Sequence, residues 1–143
     1  SGEAPNPAAS SAASLSGQTF LIIGGSSGMG LGVAKMVVKG GGVAWICGRS
    51  KAKLDAAAAE IGGTEGSVRS SELDASAGKA VAEFFESVPA GSVNHLVITA
   101  GPGVADGHFT EVAVEDARRQ FDVKFWPMYL AAHHGHSRLA DGG

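Results

Sequence analysis

The stretch that most constrains the fold is Phe20-Leu21-Ile22-Ile23-Gly24-Gly25-Ser26-Ser27-Gly28-Met29-Gly30. Four apolar residues in a row run into glycines at 24, 28 and 30, the spacing G-x-x-x-G-x-G. A continuous apolar run this short suits a strand buried on both faces, and such a strand needs a layer on each side of its sheet. The residues from Gly30 to Lys39 predict a helix, with Val33, Met36, Val37 and Gly40 on one side and Gly40-Gly41-Gly42 as its stop. Between a strand and a helix, each glycine has a task. Gly24 lets the chain leave the strand sharply, Gly28 lets backbone N–H groups approach a pyrophosphate, and Gly30 lets the helix pack close to the sheet. Phosphates would sit at the helix N-terminus, where unpaired N–H groups and the helix dipole favour negative charge. Ser26 and Ser27 add hydroxyl donors, and Met29 lies in the same loop. The plainer alternative is a tight turn with no ligand; the setting between a buried strand and a helix is the context the motif requires.

The rest of the chain repeats this rhythm. Val43–Cys47 predicts a second strand, and Lys51–Ile61 an alanine-rich helix capped by Ser50 and ended by Gly62-Gly63. Ser67–Leu73 predicts a weaker third strand. Ser76 is expected to cap a helix holding Val81, Phe84, Phe85 and Val88, stopped by Pro89. His95–Thr99 predicts a fourth strand ending in Ala100-Gly101, and a loop over Pro102–Gly107 leads to a long helix near Val114–His134. Strands alternating with three-turn helices imply an α/β fold, a doubly wound parallel sheet joined by right-handed crossovers. Residues 1–16 are Ala/Ser/Pro-rich and nearly uncharged, so they are expected to be a disordered tail or linker, with the folded domain over 17–143. That tail could be the remnant of a processed targeting sequence.

Composition removes several classes of function. The 143 residues carry 11 basic and 14 acidic side chains, a net charge of −3, so there is no basic field for nucleic acid or polybasic patch for a membrane surface. No apolar run approaches the roughly 18–20 residues of a membrane span. One cysteine, Cys47, rules out an internal disulfide framework and suits a soluble protein of a reducing compartment, cytoplasm or organelle interior. It reads as a buried small hydrophobe. Met29, Met36 and Met128 read as core or interface filler. His133, His134 and His136 could suggest a metal, but no carboxylate or cysteine stands at supporting spacing, and basic residues are favoured at a helix C-terminus. No metal is expected.

The glycine spacing resembles that of the short-chain dehydrogenase/reductase family, whose T-G-x-x-x-G-x-G is matched at all three glycines, with Ile23 in place of the Thr. Gly48-Arg49-Ser50 after the second strand, Leu73-Asp74-Ala75 after the third and Thr99-Ala100-Gly101 after the fourth fall in the family's order. Phe121-Asp122-Val123-Lys124-Phe125-Trp126 resembles the start of its long central helix. The resemblance runs from Leu15 to Gly143 and implies a Rossmann-like sheet with strand order 3-2-1-4, its C-terminal half incomplete.

An acid after the second strand would favour NAD; here stands Arg49, with Ser50 beside it. A guanidinium suits a 2′-phosphate by charge and by bidentate geometry, so the expected cofactor is NADP(H). The alternative is an ordinary surface arginine. The resemblance implies that Asp74 accepts a hydrogen bond from the adenine amino group, although it could be a plain helix-terminal carboxylate. It also implies that Ala75, Ala100 and Gly101 line the adenosine wall. The family's catalytic Ser and Tyr-x-x-x-Lys would fall beyond a fifth strand. Tyr129 is followed four residues on by His133, not Lys, so it is not that tyrosine. Lys124 stands where the family's helix asparagine supports a proton relay.

Two functions are therefore expected side by side. One is an NADP(H)-dependent oxidoreductase moving a hydride to or from a carbonyl or alcohol in the complete protein. The other is a non-catalytic accessory subunit of a larger assembly, built on the same fold. A bare nucleotide-binding module is a third. The apolar helix over residues 121–130, with Pro127 expected to kink it, and the strand edge over 95–99 imply a partner chain or a homo-oligomer.

Overall fold

A computed structural model describes residues 14–101, 107–108 and 110–143. Most of the expected tail and most of the 102–107 loop lie outside the described residues. The chain forms β1 (Thr19–Ile23), α1 (Gly28–Lys39), β2 (Val43–Gly48), α2 (Lys51–Ile61), β3 (Val68–Glu72), α3 (Gly78–Ser87), β4 (His95–Ile98), α4 (Val114–Gly135) and a 3-10 turn at His136–Arg138. The four strands form one parallel sheet in the order β3-β2-β1-β4, with Leu21 of β1 level with Trp45 on one side and Leu96 on the other.

The apolar run of β1 takes the centre because its side chains can be buried on both faces. Leu21 and Ile23 enter one core with Cys47, Val81, Phe85 and Ala131, under α3 and α4. Ile22 points the other way, with Ala34, Val37, Ile46 and Leu54, under α1 and α2. Alternating sides along the strand therefore feed two cores. β3 reads Val-Arg-Ser-Ser-Glu and can be only an edge strand, since its polar side chains need solvent. Cys47 is fully buried, and that burial pushes its thiol up to about 12, so it is an inert core residue.

Local details depart from the sequence reading in instructive ways. α1 begins at Gly28, not Gly30, and buries Gly30, Ala34 and Val37, leaving Met36 73% exposed. The buried face is thus the one on which Gly30 meets the Gly24 carbonyl and the Thr99 hydroxyl, not the one with the largest apolar side chain. Met29 and Met128 are exposed as well, so none of the three methionines fills the core. α3 has Ala77 at its N-cap with no side-chain cap, because the Ser76 hydroxyl and N–H both turn back to Asp74. α4 holds Pro127 inside its span, as the sequence places it, and Pro127 is itself buried. Leu15, expected in the tail, donates its N–H to the Gly40 carbonyl and packs beside Gly40 and Gly42.

α4 buries Pro127, Ala131 and Gly135 against the α3 side of the sheet, with Gly135 close to Leu96 and Phe85. Its opposite face carries Phe121, Phe125, Tyr129 and His133, one turn apart, their rings stacked in sequence at 5.2, 5.9 and 5.8 Å. After the 3-10 turn, Leu139 forms a parallel bridge with Val93, just ahead of β4. Beyond that bridge, β4 is the sheet edge among the described residues. No described helix is long and apolar enough to cross a membrane.

Candidate functional site

In a doubly wound sheet the strand-to-helix turns open at the C-terminal ends of the strands, and ligands bind in the crevice there. Here the turns after β1, β2, β3 and β4 line one cavity of about 750 Å³. Gly24, Ser26, Ser27, Gly28 and Met29 come from the first turn, and Arg49 and Ser50 from the second. Asp74 and Ala75 come from the third, Ala100 and Gly101 from the fourth, and Lys124 reaches in from α4. Gly30 alone of the expected residues does not line the cavity. It stands behind the loop, where an added Cβ would run into the Gly24 carbonyl.

The glycines sort by what surrounds them. At Gly24, with φ +93°, an added Cβ would come within 2.7 Å of the Ala100 backbone N, so the first and fourth turns touch there. Gly28 has φ +52°, and nothing stands within 4 Å of an added Cβ: its bare face looks into open space. Ser27 at the α1 N-cap makes no side-chain cap bond and the first turn holds no acid. Among the described residues, neither a side-chain cap nor a first-turn acid offsets the positive end of α1, at which Gly28 and Met29 line the cavity. That is the arrangement an anion can complete.

Thr99 contributes to the site, although in the sequence it stands out only as the first residue of the Thr99-Ala100-Gly101 stretch. Its hydroxyl lies 3.3 Å from the carbonyl oxygens of both Ile23 and Gly24, holding the loop's exit from β1. On the β2 side, an added Cβ on Gly48 would stand 3.2 Å from the Ser26 hydroxyl, so the first two turns pack directly together. Ser50 caps α2 by accepting the Lys53 N–H at 3.4 Å. Arg49 is exposed and has no ion pair among the described residues.

Asp74 accepts both the Ser76 hydroxyl (2.6 Å) and the Ser76 N–H (3.0 Å). These bonds hold its carboxyl below the usual carboxylate range, with a smaller contribution from the Arg49 charge. It is therefore a fixed carboxylate on the cavity wall, outside the first turn of α3. Lys124 lies over Gly101: an added Cβ there would stand 3.0 Å from its ammonium nitrogen. Lys53, Val123 and Pro127 also line the cavity and were not expected there from the sequence. The spacing of Lys53, three residues past the capping Ser50, was the available signal. Tyr129 is off the cavity, stacked between Phe125 and His133 on the outer face of α4. Among the described residues no group of three or more His, Cys, Asp or Glu could hold a metal.

The sheet order and the glycine-lined crevice define a dinucleotide-binding type of α/β protein. The family model for short chain dehydrogenases matches residues 18–142, and the chain belongs to that family. It is 34% identical over 93 residues to the oxidoreductase asL5 of Sarocladium schorii, covering 64% of this chain and 36% of that protein. It is 26% identical over 139 residues to the short-chain dehydrogenase/reductase fsr5 of Gibberella fujikuroi, covering 90% of this chain and 52% of that one. Among solved structures, a short-chain type dehydrogenase/reductase from Mycobacterium ulcerans superposes with a TM-score of 0.76 at 28% identity, covering 91% of this chain and 49% of that chain. The chain thus spans about half the length of that structure and of fsr5, and less of asL5.

Proposed function

We propose that this chain is the cofactor-gripping part of an NADP(H)-dependent oxidoreductase that moves a hydride to or from a carbonyl or alcohol substrate. The observation that carries this is the single cavity running from the uncapped α1 N-terminus, past the bare face of Gly28, to Arg49. The residues fit such a cofactor in shape and charge. A pyrophosphate would lie where a Cβ on Gly28 would otherwise project, against the N–H groups of the first turn of α1. Arg49 would pair with the 2′-phosphate. Asp74, kept ionised by Ser76, would accept from the adenine amino group, with Ala75, Ala100 and Gly101 as the wall. When bound, the nicotinamide supplies or accepts the hydride. Lys124, over Gly101, would place an ammonium at the end of the cavity that α4 closes.

Titration of the protein with both cofactors tests this. NADPH should bind more tightly than NADH. Arg49→Asp should weaken NADPH by about 1.5–3 kcal/mol, the worth of one charge-assisted contact, while NADH is little affected. An unchanged NADPH preference in the variant would sink the assignment of Arg49.

The outer face of α4 supports association through this helix, in this reading with a second copy of the protein. Phe121, Phe125, Trp126 and Tyr129 are each at least 40% exposed and lie together. A contiguous aromatic patch of this kind marks an interaction surface. The β4 edge is a second surface in the same proposal. Light scattering with size-exclusion chromatography should give a mass above that of one chain, and Phe121→Glu with Phe125→Glu should reduce it. A wild-type monomer at tens of micromolar would refute the association.

A further inference from the structure

We propose that Lys53 is the second cation of the 2′-phosphate site, so that Arg49 and Lys53 together set nucleotide preference; this rests on the NADP(H) reading above. The cavity holds three basic side chains, Arg49, Lys53 and Lys124, against one acid, Asp74. That is a local excess of positive charge in a chain whose net charge is −3. Asp74 is already engaged by Ser76, and Lys124 belongs to the α4 end over Gly101. Arg49 and Lys53 remain, on either side of the Ser50 cap.

Their placement follows from local structure. β2 ends at Gly48 and delivers Arg49 to the rim. The Ser50 hydroxyl accepts the Lys53 N–H, which fixes the first turn of α2 and brings Lys53 to the cavity. The other lysines nearby are occupied: Lys51 pairs with Asp55 at 2.8 Å, and Lys35 pairs with Glu60. Neither lines the cavity. Lys53 has no ion pair among the described residues, and the first turn of α2 holds no acid to draw it away. A phosphate monoester carries about −1.5 to −2 charges at neutral pH, which one guanidinium does not balance. A second cation on the same rim completes the match, and the uncapped end of α1 remains available for the pyrophosphate.

The test compares 2′,5′-ADP with 5′-AMP by calorimetry on the full chain and on Lys53→Ala, Lys53→Arg and Arg49→Ala. Alanine keeps the backbone N–H that Ser50 accepts and favours the helix, so the cap survives. Lys53→Ala should weaken 2′,5′-ADP by about tenfold and leave 5′-AMP within about twofold, and Lys53→Arg should restore most of the loss. A wild-type chain that does not distinguish the two nucleotides overturns the NADP(H) reading and this inference with it. A wild-type preference lost in Arg49→Ala but intact in Lys53→Ala overturns the role of Lys53 alone. An equal loss for both nucleotides in Lys53→Ala overturns it too, because the side chain would then not be reading the 2′ position.

Discussion

Gly30→Ala is expected to destabilise the protein by on the order of 3 kcal/mol, the upper part of the range for overpacking a tight contact. Gly30 is buried in the first turn of α1, and an added Cβ would meet the Gly24 carbonyl and stand 2.6 Å from the Thr99 hydroxyl oxygen. Neither neighbour can step aside cheaply. The Gly24 carbonyl lies in the strand-to-helix turn, and the Thr99 hydroxyl is within bonding distance of it and of the Ile23 carbonyl. Relief requires α1 to lift from the sheet, which would open the core around Ile22, Ala34 and Val37. Gly32 is the internal control. It lies in the same helix, is exposed, and has nothing within 4 Å of an added Cβ. There, alanine should stabilise by about 0.5–1 kcal/mol through helix propensity alone. Opposite signs at positions two residues apart, measured by denaturant unfolding, are the expected result. A Gly30→Ala protein as stable as wild type would refute the close-packing argument.

Gly28→Val should do the reverse, removing affinity more than stability. The position has φ +52°, so a β-branched residue costs about 1–2 kcal/mol in backbone strain. It meets no protein atom within 4 Å, so no core contact is disturbed. The added side chain would project into the space assigned to the pyrophosphate. Blocking two charge-assisted hydrogen bonds at about 1.5–3 kcal/mol each should lower affinity for both NADPH and NADH by roughly a hundredfold or more. The fall in melting temperature should be smaller than for Gly30→Ala. Undiminished binding in Gly28→Val would identify the loop as a plain turn and remove the central support for a nucleotide site.

Much of this arrangement was legible in the chain because it depends on local chemistry. β1, β2 and β4 lie within a residue or so of where apolar runs place them, since a strand covered on both faces leaves few choices of residue, and the polar β3 falls inside the weaker Ser67–Leu73 stretch. α2 is bounded by Ser50 and Gly62 as its caps require. The expected site residues other than Lys124 converge because each follows the end of a strand, and parallel strands put all those ends on one edge of the sheet. Only Gly30 departs from the cavity, and the role read for it, close packing of helix on sheet, is the one its surroundings describe.

Other features were invisible because they depend on competition between distant groups. Ser76 looked like a helix cap, but the Asp74 carboxylate two residues earlier captures both its donors. The α1 pattern put Met36 on one side with Val33 and Val37, yet small Ala34 is buried with Val37 and Met36 faces solvent. Thr99 became a loop clamp only when β4 was placed beside β1, 75 or more residues away in the chain. Lys53, marked only by its spacing from Ser50, and Pro127, read only as a kink, joined the site through the packing of α2 and α4 around it.

The sequence by itself determined the class of fold, the order of elements and the glycine turn, because short-range sterics and hydrophobic periodicity act residue by residue. Tertiary structure alone decided which side chains share the cavity, which face of each helix is buried and which polar groups satisfy one another. Those outcomes are set by close packing between segments far apart in the chain. The close approach of Gly30 to Gly24 and Thr99 is one such contact, and the packing of Ala34 and Val37 beside Ile22 and Ile46 is another.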